Sequence, residues 1–217
     1  MDALKDDYTI ILPDARGHGE SEKPHDPLAY RMDLLASDIA AVLDDLEIGD
    51  TNFFGYSMGG RIGWGFAKHY LDRLRSLTVG GGPPHGSNPN SRYNRRTIQF
   101  LKQGIQPYVE SLEPAFGEWM TQEIRAMELA NDPEALIAWL SMEQPNLEDI
   151  LPTINIPVLL FVGEADGNYH AVKECLDRLP DATFFSLPGL NHIATVCRVD
   201  LTLPRIKEFL DGLNRRR

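Results

Sequence analysis

The sequence predicts an α/β fold: a mostly parallel sheet with helices on both faces and an inserted helical cap. Short apolar runs alternate along the chain with segments of helical periodicity. The strongest run, residues 157–162, is apolar at nearly every position, as in a strand buried on both faces. Right-handed crossovers would then place successive helices against the sheet.

Each element follows from its local pattern. β-Formers bounded by turn residues predict strands at residues 8–12, 52–54, 76–79, 157–162 and 183–187. Helical spacing of apolar residues predicts helices over residues 34–46, 62–67, 171–179 and 203–213.

The alternation stops between residues 83 and 151, where only helical periods occur. One helix is expected from Ile98 to Val109, a second from Phe116 to Met127, and a third around Trp139. We therefore expect a core formed by residues 1–82 and 152–217, and a cap formed by residues 83–151. The cap has too few aliphatic positions for an independent core.

Composition excludes several classes of function. The net charge of −11 argues against nucleic-acid binding and against an anionic membrane surface. No apolar run approaches the ~20 residues of a membrane span. Cys175 and Cys197 show no disulfide or metal-ligand spacing, so we expect reduced thiols, no metal and a cytoplasmic protein.

The best-defined chemical motif is Gly55-Tyr56-Ser57-Met58-Gly59, which matches G-x-S-x-G between a strand and a helix. This context predicts a tight turn that exposes the Ser57 hydroxyl as a nucleophile. Gly55 and Gly59 are both expected to leave room for the turn. The Met58 N–H, at the helix N-terminus, is expected to stabilise an oxyanion.

A serine nucleophile needs a base and an acid that orients the base. Asp166 follows the strongest late strand, and His192 follows the last one, so the order is Ser, Asp, His. Glu164 is the nearest competitor for the acid, but the shorter Asp suits the turn better. Ser57, Asp166 and His192 are the predicted catalytic residues.

These motifs together resemble the α/β-hydrolase superfamily, particularly its bacterial esterase, enol-lactonase and C–C-hydrolase branch. Residues 14–21 resemble the family's D-x-R-G-H-G-x-S turn, residues 55–60 its nucleophile elbow, residues 163–166 its acid turn, and residues 189–192 its histidine loop. The resemblance spans nearly the whole chain. It implies that Asp14, Arg16 and His18 shape the pocket without acting catalytically.

One feature departs from the family, whose members carry about three strands and a helix before the D-x-R-G-H-G strand. Here residues 1–7 precede it, so an N-terminally shortened fold is expected, as a fragment or as a naturally reduced hydrolase. The third strand normally supplies the second oxyanion N–H and separates the strands at residues 8–12 and 52–54. Without it, either those strands pair directly or the sheet has an open edge through which the chain forms homo-oligomers.

The motifs and the resemblance predict a serine hydrolase that cleaves a small-molecule ester, lactone or thioester without a cofactor. Tyr56, Arg61, Trp119 and Trp139 are the candidate substrate-binding residues. Arg61 is either a solvated helix arginine or the anchor for a substrate carboxylate, as in the menaquinone-pathway synthase branch. The latter reading predicts a C–C hydrolase or lyase; a third alternative is a weakly active or non-catalytic protein, because the oxyanion segment is missing.

Overall fold

The computed structural model describes residues 4–215 and has the predicted α/β architecture. Its parallel sheet has the strand order β1-β2-β3-β4. The strands are β1 (Thr51–Tyr56), β2 (Leu74–Gly80), β3 (Val158–Gly163) and β4 (Ala182–Leu187). The predictions of strands near residues 52–54, 76–79, 157–162 and 183–187 are confirmed.

Helices connect these strands. The α-helices are α1 (Met32–Asp45), α2 (Met58–His69), α3 (Arg92–Leu101), α4 (Ile105–Phe116), α5 (Gln122–Leu129), α6 (Pro133–Ser141), α7 (Tyr169–Glu174), α8 (His192–Cys197) and α9 (Val199–Arg215). Short 3-10 helices lie at Pro27–Tyr30, Leu71–Arg73, Gly117–Trp119, Glu148–Thr153 and Cys175–Arg178. Within the described range, no helix is both long and apolar enough to span a membrane.

Two apolar clusters cover the two faces of the sheet, because alternate side chains of a strand point to opposite sides. Leu160 and Val162 of β3 pack in the cluster that includes α1 and α2. Leu159 and Phe161 pack in the cluster that includes Ile206 and Leu210 of α9. Every residue of β3 is buried, as its continuous apolar sequence predicted.

The predicted strand at residues 8–12 is wrong. This segment has no regular secondary structure and pairs with no strand in the described part of the chain, although Ile11 packs against the core and Leu12 is 67% exposed. An apolar run indicates burial, whereas a strand also needs a neighbour with free N–H and C=O groups. Within residues 4–215, β1 therefore has one unpaired edge, where Phe54 is 53% exposed. Self-association through this edge stays a prediction.

The segment between β2 and β3 is helical, but two of its helices differ from the prediction. The helix expected from Ile98 to Val109 is divided into α3 and α4 at Gly104, which has a φ of 115°. The helix expected from Phe116 to Met127 is interrupted at Gly117, with a φ of 54°. Positive φ interrupts the helical backbone, so Gly104 separates α3 from α4 as the N-cap of α4, and Gly117 ends α4 as its C-cap. The function of this segment as a cap over the core stays a prediction.

Candidate active site

Ser57 lies on a strained turn between β1 and α2. Its φ of 52° and ψ of −110° fall in a region that residues with a side chain rarely adopt. The Ser57 N–H donates to the Gly80 carbonyl at 2.8 Å, which fixes the turn to the end of β2. The turn thus holds the serine hydroxyl clear of both β1 and α2.

Of the two glycines expected to leave room for the turn, Gly55 and Gly59, only Gly55 is sterically required. A Cβ atom on Gly55 would lie 2.2 Å from the Gly59 carbonyl oxygen, and one on Gly60 would lie 2.8 Å from Val79 Cγ1. A Cβ atom on Gly59, in contrast, would meet nothing within 4 Å. The expectation is right for Gly55 and wrong for Gly59, because the close approach of α2 to the sheet runs through Gly60.

This difference gives a stability prediction. Gly55→Ala should lower the free energy of unfolding by about 2–3 kcal/mol, since backbone atoms of α2 must move away from β1. Gly59→Ala should leave that free energy unchanged or raise it by up to about 1 kcal/mol, because alanine favours the helix. Urea denaturation followed by circular dichroism measures both. Equal losses in the two variants would contradict this account of the turn.

The acid and the base lie on loops that main-chain hydrogen bonds join. The N–H groups of Glu164 and Ala165 donate to the carbonyls of Leu187 and Leu190, each at 3.0 Å. A Cβ atom on Gly163 would lie 2.1 Å from the Leu190 carbonyl oxygen, so only glycine permits this approach. The end of β3 and the loop after β4 therefore form one unit.

The three predicted catalytic residues lie within hydrogen-bond distance of one another. His192 Nε2 is 2.9 Å from Ser57 Oγ, and His192 Nδ1 is 2.6 Å from Asp166 Oδ2. Asp166 is buried, and its other oxygen accepts from the Asn168 N–H at 2.8 Å. If Nδ1 carries the proton, Nε2 is free to accept a proton from the serine.

Glu164, the competing acid, points elsewhere. It is exposed, and its Oε1 accepts from the Ser186 hydroxyl at 2.8 Å. The geometry thus agrees with the choice of Asp166 over Glu164.

A cavity of about 1090 Å³ opens above these residues, at the carboxyl ends of the strands. Ser57, Met58, Arg61 and Trp139 line it. The Met58 N–H opens α2, so it has no acceptor within its own helix and is available to an oxyanion.

The other residues predicted to bind substrate or to shape the pocket do not all line the cavity. Tyr56 and Trp119 are not among the described residues that line the cavity, and their predicted contact with substrate stays a prediction. His18 does line the cavity. Arg16 instead binds both oxygens of Asp38 in α1, with its Nε 3.0 Å from Oδ2.

Arg61 is half-buried, and no described carboxylate lies within ion-pair distance of it. Burial lowers the pKa of its guanidinium group. Asp166 is the one carboxylate among the described residues that line the cavity, and it is bound to His192. Arg96 on α3 also lines the cavity, with its guanidinium 5.7 Å from the Phe100 ring centroid. The described residues that line the cavity thus include two arginines and one carboxylate, although the protein has a net charge of −11.

Sequence reasoning missed much of the cavity wall. Tyr93, Thr97 and Phe100 of α3 and Tyr108 of α4 line it. The spacing of Tyr93, Thr97 and Phe100 fits one face of a helix and was the available signal. Within residues 4–215, no group of three or more His, Cys, Asp or Glu side chains is arranged to hold a metal.

Comparison with known proteins agrees with this architecture. The family model described as "alpha/beta hydrolase fold" matches residues 1–112. A Bacillus subtilis protein, provisionally named a 2-succinyl-6-hydroxy-2,4-cyclohexadiene-1-carboxylate synthase, is 28% identical over 98% of this chain and 85% of its own length. The 3-oxoadipate enol-lactonase 2 of Acinetobacter baylyi is 29% identical over 81% of this chain and 72% of its own length. Among solved structures, a thermophilic esterase from Thermogutta terrifontis superposes with a TM-score of 0.84 at 25% identity, covering 98% of this chain and 83% of that one.

Proposed function

The chain belongs to the α/β-hydrolase family, and on that basis we propose that it is a serine hydrolase that cleaves a small carboxylic ester or lactone through an acyl-enzyme. The observation that carries the proposal is the continuous chain of short contacts from Ser57 Oγ to His192 and from His192 to Asp166. The similarity to an enol-lactonase and an esterase supports the same substrate class.

The proposed reaction needs only the chain, the substrate and water. Ser57 Oγ attacks the carbonyl carbon while its proton passes to His192 Nε2, and the negative charge on the carbonyl oxygen is stabilised by the Met58 N–H. The C–O bond to the alcohol then breaks, and His192 returns the proton to the leaving oxygen. Water, deprotonated by His192, attacks the acyl-enzyme; the acid departs and Ser57 regains its proton. Asp166 orients the imidazole and stabilises its charged form.

Pre-steady-state kinetics test this pathway. Mixing the protein with a short p-nitrophenyl ester should give a burst of p-nitrophenol of about one equivalent where hydrolysis of the acyl-enzyme is the slower step. A chain-length series from acetate to octanoate then measures the depth available to the acyl group. Absence of turnover with every member of the series, and with γ- and δ-lactones, would contradict the proposal.

One observation favours a second candidate, which is C–C cleavage or a lyase reaction on a carboxylated substrate. Arg61 lies at the cavity without a carboxylate partner among the described residues, and the B. subtilis relative carries a carboxylate in the name of its product. A guanidinium that is partly desolvated and unpaired favours an anionic ligand. Carboxylated vinylogous ketones are the substrates that would reveal this activity.

Arg61 therefore yields a specificity prediction. Arg61→Gln should raise KM about 10- to 100-fold for the p-nitrophenyl monoester of succinate, because a charge-assisted hydrogen bond is lost. KM for p-nitrophenyl acetate, which has no carboxylate, should change by less than about twofold. Steady-state kinetics with both esters provide the matched control. An equal change in both values would show that Arg61 does not bind the substrate carboxylate.

A further inference from the structure

Tyr56 makes a contact that joins two distant parts of the site. It is the last residue of β1 and immediately precedes Ser57. Its hydroxyl donates to the main-chain carbonyl of His192 at 2.6 Å, across 136 positions of sequence. Tyr56, which is adjacent to Ser57 in sequence, thus holds the main chain of His192, whose imidazole contacts Ser57 Oγ.

The ring of Tyr56 is confined in a narrow slot. Its centroid lies 5.0 Å from that of His192 and 5.9 Å from that of Phe161. A Cβ atom on Gly80 would lie 2.5 Å from Tyr56 Cδ2, and one on Gly81 would lie 3.0 Å from both Tyr56 Oη and His192 Cε1. The two glycines at the end of β2 therefore make room for the ring and bring it against the imidazole.

The hydroxyl of Tyr56 keeps its proton. Burial raises the pKa of the phenol well above its ordinary value, the Asp166 charge raises it further, and a hydrogen bond with Thr195 offsets part of the rise. Tyr56 therefore remains a hydrogen-bond donor over the whole range in which such an enzyme would be assayed.

His192 opens a short helix, and the Tyr56 contact adds to the hydrogen bond from the Ala165 N–H to the Leu190 carbonyl, which holds the preceding loop. α8 spans only six residues, His192–Cys197, and a helix of this length has little stability of its own. Asn191 caps its N-terminus by accepting from the Ala194 N–H at 2.9 Å. Asp166 holds the imidazole, but that contact alone does not fix the main chain of His192.

We propose that Tyr56 is a positioning residue, whose hydroxyl ties the His192 main chain to the end of β1, directly before Ser57, and so keeps His192 Nε2 in line with Ser57 Oγ. The inference rests on the proposed serine-hydrolase function. It differs from a substrate contact, because Tyr56 is not among the described residues that line the cavity.

The test compares two tyrosines whose hydroxyls donate to main-chain carbonyls. Tyr30 is fully buried and donates to the Pro24 carbonyl at 2.8 Å, outside the cavity lining, so Tyr30→Phe is the matched control. Tyr56→Phe should lower kcat on p-nitrophenyl acetate about 10- to 100-fold with KM within about twofold, since a small misplacement of a catalytic group has effects of that size. Tyr30→Phe should leave both constants within about twofold.

A fluorophosphonate probe separates this inference from the proposed function. Tyr56→Phe should slow labelling of Ser57 by the same factor as kcat, for a small and a large probe alike, and hydrogen exchange should be faster in α8. If the wild type is labelled and Ser57 in Tyr56→Phe is labelled equally fast, the positioning role is overturned and the proposed function stays intact. A raised KM with unchanged kcat would show a substrate contact instead. If Ser57 of the wild-type protein is not labelled, both the proposed function and the positioning role of Tyr56 are contradicted.

Discussion

Replacing Ser57 with alanine should lower kcat for ester hydrolysis by a factor of roughly 10⁴ to 10⁶. The substitution removes the one atom that forms the covalent bond to the acyl group, and the activity that remains comes from binding and the oxyanion site alone. The loss should appear in kcat, because the hydroxyl acts during bond formation. Steady-state assays with p-nitrophenyl acetate measure it.

The fold should survive this substitution. Alanine has the same backbone restrictions as serine, so the strained turn with its φ of 52° is retained and circular dichroism should be unchanged. Ser37→Ala is the matched control, because Ser37 donates its hydroxyl to the Leu34 carbonyl within α1, away from the cavity. Retention of more than about a tenth of wild-type turnover in a folded Ser57→Ala protein would assign the nucleophile to another residue.

Asp166→Asn is expected to have the second-largest effect, a fall in kcat on the order of 10⁴-fold. The amide can donate to His192 Nδ1, which would place the imidazole proton on Nε2 and leave no lone pair to accept the serine proton. The buried carboxylate also stabilises the imidazolium that forms during the reaction.

Glu164→Gln is the natural control for this variant. Glu164 lies two residues away and forms its hydrogen bond with Ser186, not with His192. The substitution should change kcat by less than about twofold. A large loss in Glu164→Gln together with a small loss in Asp166→Asn would reverse the assignment of the acid.

Local patterns predicted most of the sheet. β3 was recognisable because a strand buried on both faces is apolar at nearly every position, and all of its residues are buried. Residues 8–12 show the same pattern, yet they are not a strand, because pairing depends on a neighbour that local sequence does not reveal. The helices between β2 and β3 differ from the prediction because helical periodicity continues past Gly104 and Gly117, whose positive φ values interrupt the helices.

For the site, sequence order and strand-end placement are sufficient to predict that Ser57, Asp166 and His192 lie together. Those rules work because parallel strands end at one edge of a sheet, where the loops that follow them meet. The lining by Tyr93 and Phe100 depended on how α3 packs, and the contact of Tyr56 with the His192 carbonyl depends on three-dimensional distance alone. The α3 residues do share the spacing of one helix face, whereas the Tyr56 contact leaves no short-range sequence signal.

The most direct test of the central claim is covalent labelling of the wild-type protein with a fluorophosphonate, followed by intact-mass and peptide mass spectrometry. We expect a single adduct on Ser57, no adduct in Ser57→Ala, and slow labelling in His192→Ala, where no base accepts the proton of the hydroxyl. A wild-type protein that stays unlabelled, or an adduct that persists in Ser57→Ala, would contradict it.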